Sequence, residues 1–146
     1  SGYLNDPELT AQAFTPDGYI VSGDMARLDQ GYIYISGRHD DIFNCSGEKI
    51  APQEIEDVLN HYDAVERAAV AGFPDPLRGK APVAFLKLRR PVTRDELVGY
   101  LARELTRIKV PQRFLQVTTF PMTSNGKLQR RLLSLDDTSY IVGEIT

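Results

Sequence analysis

The sequence predicts an α+β fold, a small β-sheet with helices packed on it. Three observations carry this expectation. Ile55, Val58, Leu59 and Tyr62 recur at i, i+3, i+4 and i+7, the spacing of one helical face. Thr93-Arg94-Asp95-Glu96 is a capping box, opening a second helix whose Leu97, Leu101, Leu105 and Ile108 form a stripe. Val65–Phe73 and Val83–Leu88 are strand-like runs, divided by the turn-rich Pro74-Asp75-Pro76-Leu77-Arg78-Gly79.

The remaining elements follow in chain order. Asp6-Pro7 reads as an N-cap with proline at the first helical position, starting a short helix through Ala13. Asp17-Gly18 is turn chemistry and Tyr19-Ile20-Val21 a short strand. Tyr32–Ile35, aromatic and β-branched between Gly31 and Gly37, is a strand. Ile42–Cys45 and Lys49-Ile50 flank Ser46-Gly47, which predicts a hairpin with Gly47 near its tip. Pro52 begins the first striped helix, with Glu54, Glu56 and Asp57 early, where the helix dipole favours acids. Pro111 ends the second helix, Arg113–Thr118 is a strand, and Leu128–Leu133 a short terminal helix. The helices are expected on one face of the sheet. Residues 1–36 have short elements and no evident way to close a core of their own.

Composition narrows the function classes. The chain has 146 residues, 42% hydrophobic and 25% charged, enough apolar material for a core and unlike a disordered segment. No apolar run is long enough to span a bilayer, and no secretory signal opens the chain. One cysteine, Cys45, cannot form an internal disulfide, which fits a reducing, cytoplasmic setting. His39 and His61 have no partners at ligand spacing, so no metal site is expected. The net charge of −3 hides a separation: residues 1–75 hold 4 Lys/Arg against 14 Asp/Glu, and residues 76–131 hold 13 against 3. A basic half can attract phosphates, or its charges can spread over solvated faces. A nucleic-acid role has neither an aromatic platform nor a recognition-helix arrangement behind it.

Four short segments carry chemistry, and each alone is as readily a turn or a charged loop. Ser22-Gly23-Asp24 places a carboxylate where it can accept both hydrogen bonds of a vicinal diol. Gly37-Arg38-His39-Asp40-Asp41 offers a guanidinium fork for phosphate and a polar linker. Ser46-Gly47-Glu48-Lys49 puts glycine where a ligand or backbone can approach closely. Pro121-Met122-Thr123-Ser124-Asn125-Gly126-Lys127-Leu128-Gln129-Arg130 presents a lysine from a turn, suited to charge developing on a carboxylate or phosphate oxygen.

Taken together, in this order and spacing, the segments resemble the adenylate-forming superfamily: acyl- and aryl-CoA synthetases, peptide adenylation domains and luciferases. The likeness runs from Gly2 to about Leu133 and includes Gly47-Glu48-Lys49-Ile50-Ala51-Pro52-Gln53-Glu54-Ile55-Glu56. The resemblance implies residues 1–37 as the end of a large AMP-binding domain, 38–41 as a hinge, 42–135 as a C-terminal lid, and 136–146 as a tail of no assigned role. It implies an ATP-dependent ligase that forms an acyl adenylate from a small carboxylic acid and passes the acyl group to coenzyme A. Asp24 would accept the ribose diol and Arg38 would contact the ATP or AMP. Asp40 would be the hinge, Lys127 the adenylation lysine, and Ser46, Gly47 and Lys49 would line the pantetheine path. Magnesium would accompany the ATP, with its ligand in the absent N-terminal domain, and the fragment alone would be inactive. Two other readings stay open: transfer to a carrier-protein phosphopantetheine, and a non-catalytic binding module of lid fold.

Overall fold

The computed structural model describes residues 7–17 and 19–146. Asp6, Gly18 and the opening Gly2-Tyr3-Leu4-Asn5 therefore lie outside what can be compared. The chain divides into two units, residues 1–40 and 41–146.

The first unit has a short helix, α1 (Pro7–Ala13), and two antiparallel strands, β1 (Asp24–Asp29) and β2 (Tyr32–Arg38). The turn Gln30-Gly31 joins them. The strand expected at Tyr19–Val21 is reduced to one bridge between Phe14 and Ile20, fixed by Thr15 N–H to the Tyr19 carbonyl at 2.8 Å. Among the described residues of this unit none is buried. Leu28 and Ile33 are each 72% exposed, and Tyr32 is 69% exposed. A two-stranded ribbon has too little surface to bury its own apolar side chains.

The second unit is built on one mixed sheet. Its strands are β3 (Phe43–Cys45), β4 (Glu48–Ile50), β5 (Val65–Asp75), β6 (Gly79–Leu88), β7 (Arg113–Val117) and β8 (Ile141–Glu144). The order is β4-β3-β6-β7-β8, with β5 also paired to β6; β6 and β7 run parallel and the other pairs antiparallel. Two helices complete it, α2 (Pro52–Asn60) and α3 (Arg94–Glu104). The capping box at Thr93 forms as expected: Glu96 N–H donates to Thr93 Oγ1 at 3.3 Å, and Thr93 N–H to Glu96 Oε2 at 2.8 Å.

Side chains alternate along the central strands and feed two apolar clusters. Val70, Leu86 and Phe114 point to the face covered by Ile55 and Leu59 of α2 and Leu97 and Leu101 of α3. Ala69, Phe85, Leu115 and Val117 point the other way, onto Phe120, Leu133 and Tyr140. The helices do lie on one face. The opposite face is closed by the irregular C-terminal chain.

Four local expectations are corrected. α3 stops at Glu104 rather than running to Pro111, because Leu105 turns extended (φ −123°, ψ 150°) while keeping its side chain in the core. The helix expected at Leu128–Leu133 is only a 3-10 turn, Arg130–Leu132, in which Leu132 N–H donates to the Gln129 carbonyl at 2.9 Å and Leu133 N–H to the Arg130 carbonyl at 3.1 Å. The segment taken as a tail supplies β8, with Tyr140 and Ile145 buried. The breaker run 74–79 shrinks to a turn at 76–78, where Asp75 Oδ1 accepts from Leu77 and Arg78 N–H, each at 2.9 Å.

Gly72 is dictated by close approach. A Cβ there would lie 2.3 Å from Cγ of the buried Phe43 ring. Gly72→Ala is expected to cost about 1–3 kcal/mol, read as a lower urea midpoint with an unchanged slope.

Candidate functional site

In the first unit the structure brings Asp24 and Arg38 together. They are register partners at the open end of the β1–β2 ribbon. Gly23 sits beside them; a Cβ on it would lie 3.6 Å from the Arg38 guanidinium, and its carbonyl accepts His39 N–H at 2.8 Å. Ser22 Oγ accepts Asp24 N–H at 3.3 Å, and the Asp24 side chain is exposed. An exposed carboxylate next to an exposed guanidinium can address a diol and a phosphate at once. Asp40 follows, in a 3-10 turn (His39–Asp41) at the border between the two units.

Ser46 and Gly47 are where the hairpin was expected. Both have positive φ, 51° and 86°, in a two-residue turn between Cys45 and Glu48. This is a turn in which glycine relieves strain at the second position. Ser46 N–H donates to the Arg78 carbonyl at 2.9 Å, so the tip is braced on the β5–β6 turn. Lys49 stands exposed on β4 and forms no ion pair among the described residues.

Lys127 crowns a turn with an internal lock. Thr123 N–H donates to the Lys127 carbonyl at 2.8 Å, Lys127 N–H donates to Thr123 Oγ1 at 3.0 Å, and Gly126 N–H donates to the Thr123 carbonyl at 2.9 Å. Met122 bridges to Leu128 behind it. The backbone is thus held at both ends, while the ammonium is exposed and unpaired among the described residues. Such a lysine is a point charge on a fixed base.

Two groupings escaped the sequence. The first centres on Glu56, read above as an acid placed early in the helix for its dipole. It is buried, 4% exposed, on the inner face of α2. Arg130 Nη2 reaches its two oxygens at 2.7 and 2.8 Å, Arg130 Nε donates to the Val70 carbonyl at 2.9 Å, and Val70 N–H donates to Glu56 Oε1 at 2.7 Å. Arg130 Nη1 also pairs with the Asp41 carboxylate. Burial pushes the Glu56 carboxyl above the usual range, opposed by the Arg130 charge and by hydrogen bonds from Arg130 and Val70. No local signal marked it, because Glu54 is equally one step from Ile55 and is exposed; a buried charge needs a partner, and this one stands 74 positions away.

The second grouping is a cavity of about 490 Å³ lined by Arg78, Arg94 and Arg107 over Val98, Leu105 and Val110. No acid lines it. Arg78 Nη1 is buried without a hydrogen-bond partner. Arg78 connects the cavity to the hairpin through the chain: it lines the cavity, and its backbone carbonyl braces Ser46.

Residues 54–127 match the family described as AMP-binding enzyme C-terminal domain. The chain belongs to this family. Among curated relatives, a sulfoacetate–CoA ligase of Cupriavidus necator is 39% identical over 133 residues, covering 89% of this chain and 26% of the relative. A 2-succinylbenzoate–CoA ligase of Staphylococcus epidermidis is 33% identical, covering 94% of this chain and 29% of the relative. Among solved structures, o-succinylbenzoate CoA synthetase from Bacillus subtilis, in complex with its acyl-adenylate intermediate, superposes with a TM-score of 0.87. It is 34% identical, over 92% of this chain and 28% of that one. The chain thus spans little more than a quarter of these relatives. The small sheet with helices on it is the C-terminal lid fold of adenylate-forming enzymes.

Breaking the Glu56–Arg130 pair would strand a carboxylate. Arg130→Met is expected to destabilise the chain by about 3–5 kcal/mol at neutral pH. Without the guanidinium the folded-state pKa of Glu56 rises further above its unfolded value. The penalty is then full above the folded value, shrinks as pH falls from the folded towards the unfolded value, and is gone below the unfolded carboxylate range. Urea unfolding of both proteins should show the gap narrowing in mildly acidic buffer.

Proposed function

We propose that this chain is the C-terminal part of an ATP-dependent acid–thiol ligase, working with a larger N-terminal domain. The observation that carries the reading is Lys127, an unpaired ammonium on a turn whose backbone is hydrogen-bonded at both ends. In the first half-reaction a carboxylate oxygen of the acid attacks the α-phosphorus of ATP, and pyrophosphate leaves with the bonding electron pair. Lys127 would bridge the carboxylate and α-phosphate oxygens, stabilising charge as it builds in the transition state. Asp24 would hold the ribose hydroxyls and Arg38 the nucleotide phosphate, as their pairing at the ribbon end allows.

In the second half-reaction the unit beyond Asp40 would turn about that residue, removing Lys127 and presenting the Ser46-Gly47 tip. A thiolate then attacks the acyl carbon and AMP leaves; the thiol proton passes to solvent. Lys49 on β4 would draw the anionic donor along the hairpin. The exposed apolar side chains of β1 and β2 suit packing against a larger body, consistent with residues 1–37 closing an AMP-binding domain, 38–41 acting as the hinge and 42 onward as the lid. Magnesium accompanying the ATP would take its protein ligand from the N-terminal domain.

The arginine cavity bears on the acceptor. Three arginines around one cavity that no acid lines favour a thiol donor that ends in phosphates, and so free coenzyme A. A carrier-borne phosphopantetheine would use the tip but leave the cavity empty. The buried free thiol of Cys45 and the lack of a long apolar helix among the described residues fit a cytoplasmic enzyme.

Two experiments test this in the longer enzyme, across a panel of small carboxylic acids. Lys127→Ala should abolish acid-dependent ATP–pyrophosphate exchange while largely keeping thioester formation from pre-made acyl adenylate; surviving exchange would refute the assignment. Arg78→Ala combined with Arg107→Ala should raise the KM for coenzyme A at least about tenfold, with no comparable rise for pantetheine. Turnover restricted to a carrier protein would select the carrier instead.

A further inference from the structure

Arg130 has two attachments that a merely stabilising arginine would not need. Three residues before it stands Lys127, on a turn rigid in itself but joined to the sheet only through its two flanks. Across the guanidinium lies Asp41, the first residue of the second unit, next to Asp40. The fork holds Asp41 directly, and the chain from Lys127 to Arg130 ties the turn to the same guanidinium. Nη1 takes the Asp41 carboxylate, Nη2 takes both oxygens of Glu56 on α2, and Nε takes the Val70 carbonyl on β5. Asp41 and Arg130 are 89 positions apart in sequence.

We propose that Arg130 is a positioning residue for adenylation: it fixes Asp41 and the Lys127 turn to the same α2–β5 frame, so that rotation at Asp40 is delivered to Lys127 without slack. This rests on the function proposed above. The reasoning is mechanical. A pivot sets the place of a distant ammonium only if nothing between them yields, and a 1 Å error at a reacting centre costs about 100-fold in rate. Buried ion pairs with every donor satisfied give such stiffness, because any displacement exposes unpaired charge in a low-dielectric site. The planar fork is required. An ammonium at the same place could not hold Glu56, Val70 and Asp41 in fixed directions.

The pairing also distinguishes the half-reactions. Lys127 serves only adenylation, so slack in its turn should leave thioester formation nearly untouched. Loss of fold, by contrast, would lower both in proportion to the protein lost.

The test is Arg130→Lys in the longer enzyme, with Asp41→Asn beside it and Lys127→Ala as the reference. Asp41→Asn leaves the Glu56–Arg130–Val70 contacts in place, so it folds even where Arg130→Lys does not. Pyrophosphate exchange and thioester formation from pre-made acyl adenylate are measured on each, together with thermal unfolding. Arg130→Lys should lose about 100-fold in exchange and Asp41→Asn about tenfold, with thioester rates close to wild type. Equal loss in both half-reactions overturns the proposal and leaves Arg130 a structural residue. So does exchange retained in folded Arg130→Lys, or in Asp41→Asn should Arg130→Lys not fold. Were Lys127→Ala itself to keep exchange, the functional reading would fall, a different outcome from Arg130 alone proving dispensable.

Discussion

The buried pair of Glu56 and Arg130 is the constraint around which the second unit is arranged. Taking a carboxylate and a guanidinium out of water costs several kcal/mol per ion, and the attraction between them offsets this only with good geometry and no spare donors. Here the geometry draws on three parts of the chain: Glu56 from α2, both backbone groups of Val70 from β5, and Arg130 from the C-terminal segment. None can shift alone. The pair therefore does for residues 121–133 what a regular helix would have done. It gives an irregular chain one place to be.

That segment has a second anchor in the far face of the sheet. Phe120, Leu133 and Tyr140 cover Phe85, Leu115 and Val117, while the Tyr140 hydroxyl receives Ser134 N–H at 2.9 Å. The chain between Phe120 and Leu133 must leave this apolar layer and return to it. The excursion is the turn that carries Lys127. Burying the ends of a loop while exposing its tip is a general way to hold a reactive side chain on a stiff mount.

How far the sequence could be read follows from how local each signal is. The α2 stripe, the Thr93 capping box and the Ser46-Gly47 turn were legible because each is settled by residues within a few positions. The hidden features were the long-range ones. Glu56 has its cation 74 positions away, and no local pattern separates it from the exposed Glu54 and Asp57 beside it. β8 was missed because Ile141–Glu144 is only four residues long and acquires strand character by pairing with β7. α3 was drawn too long because Leu105 continues the helical stripe, yet its side chain reaches the core from extended backbone. Of the candidate site, the turns and their residue types were visible. The facing of Asp24 and Arg38 needed strand register, and the arginine cavity needed tertiary structure.

The charge separation along the sequence, ambiguous in one dimension, resolves in three. Lys87 pairs with Glu66, Arg90 with Asp63, Lys109 with Glu54, and Arg130 with Glu56 and Asp41. Each pair joins a cation of the basic half to an acid of the acidic half. Much of the apparent bipolarity is thus internal neutralisation, and the exposed pairs contribute little to stability. Among the described cations that form no ion pair, four stand out. Arg78, Arg94 and Arg107 converge on one cavity without an acid, and Lys127 stands alone on its turn. On the function proposed above, the cavity and the locked turn would meet two anionic substrates in alternation.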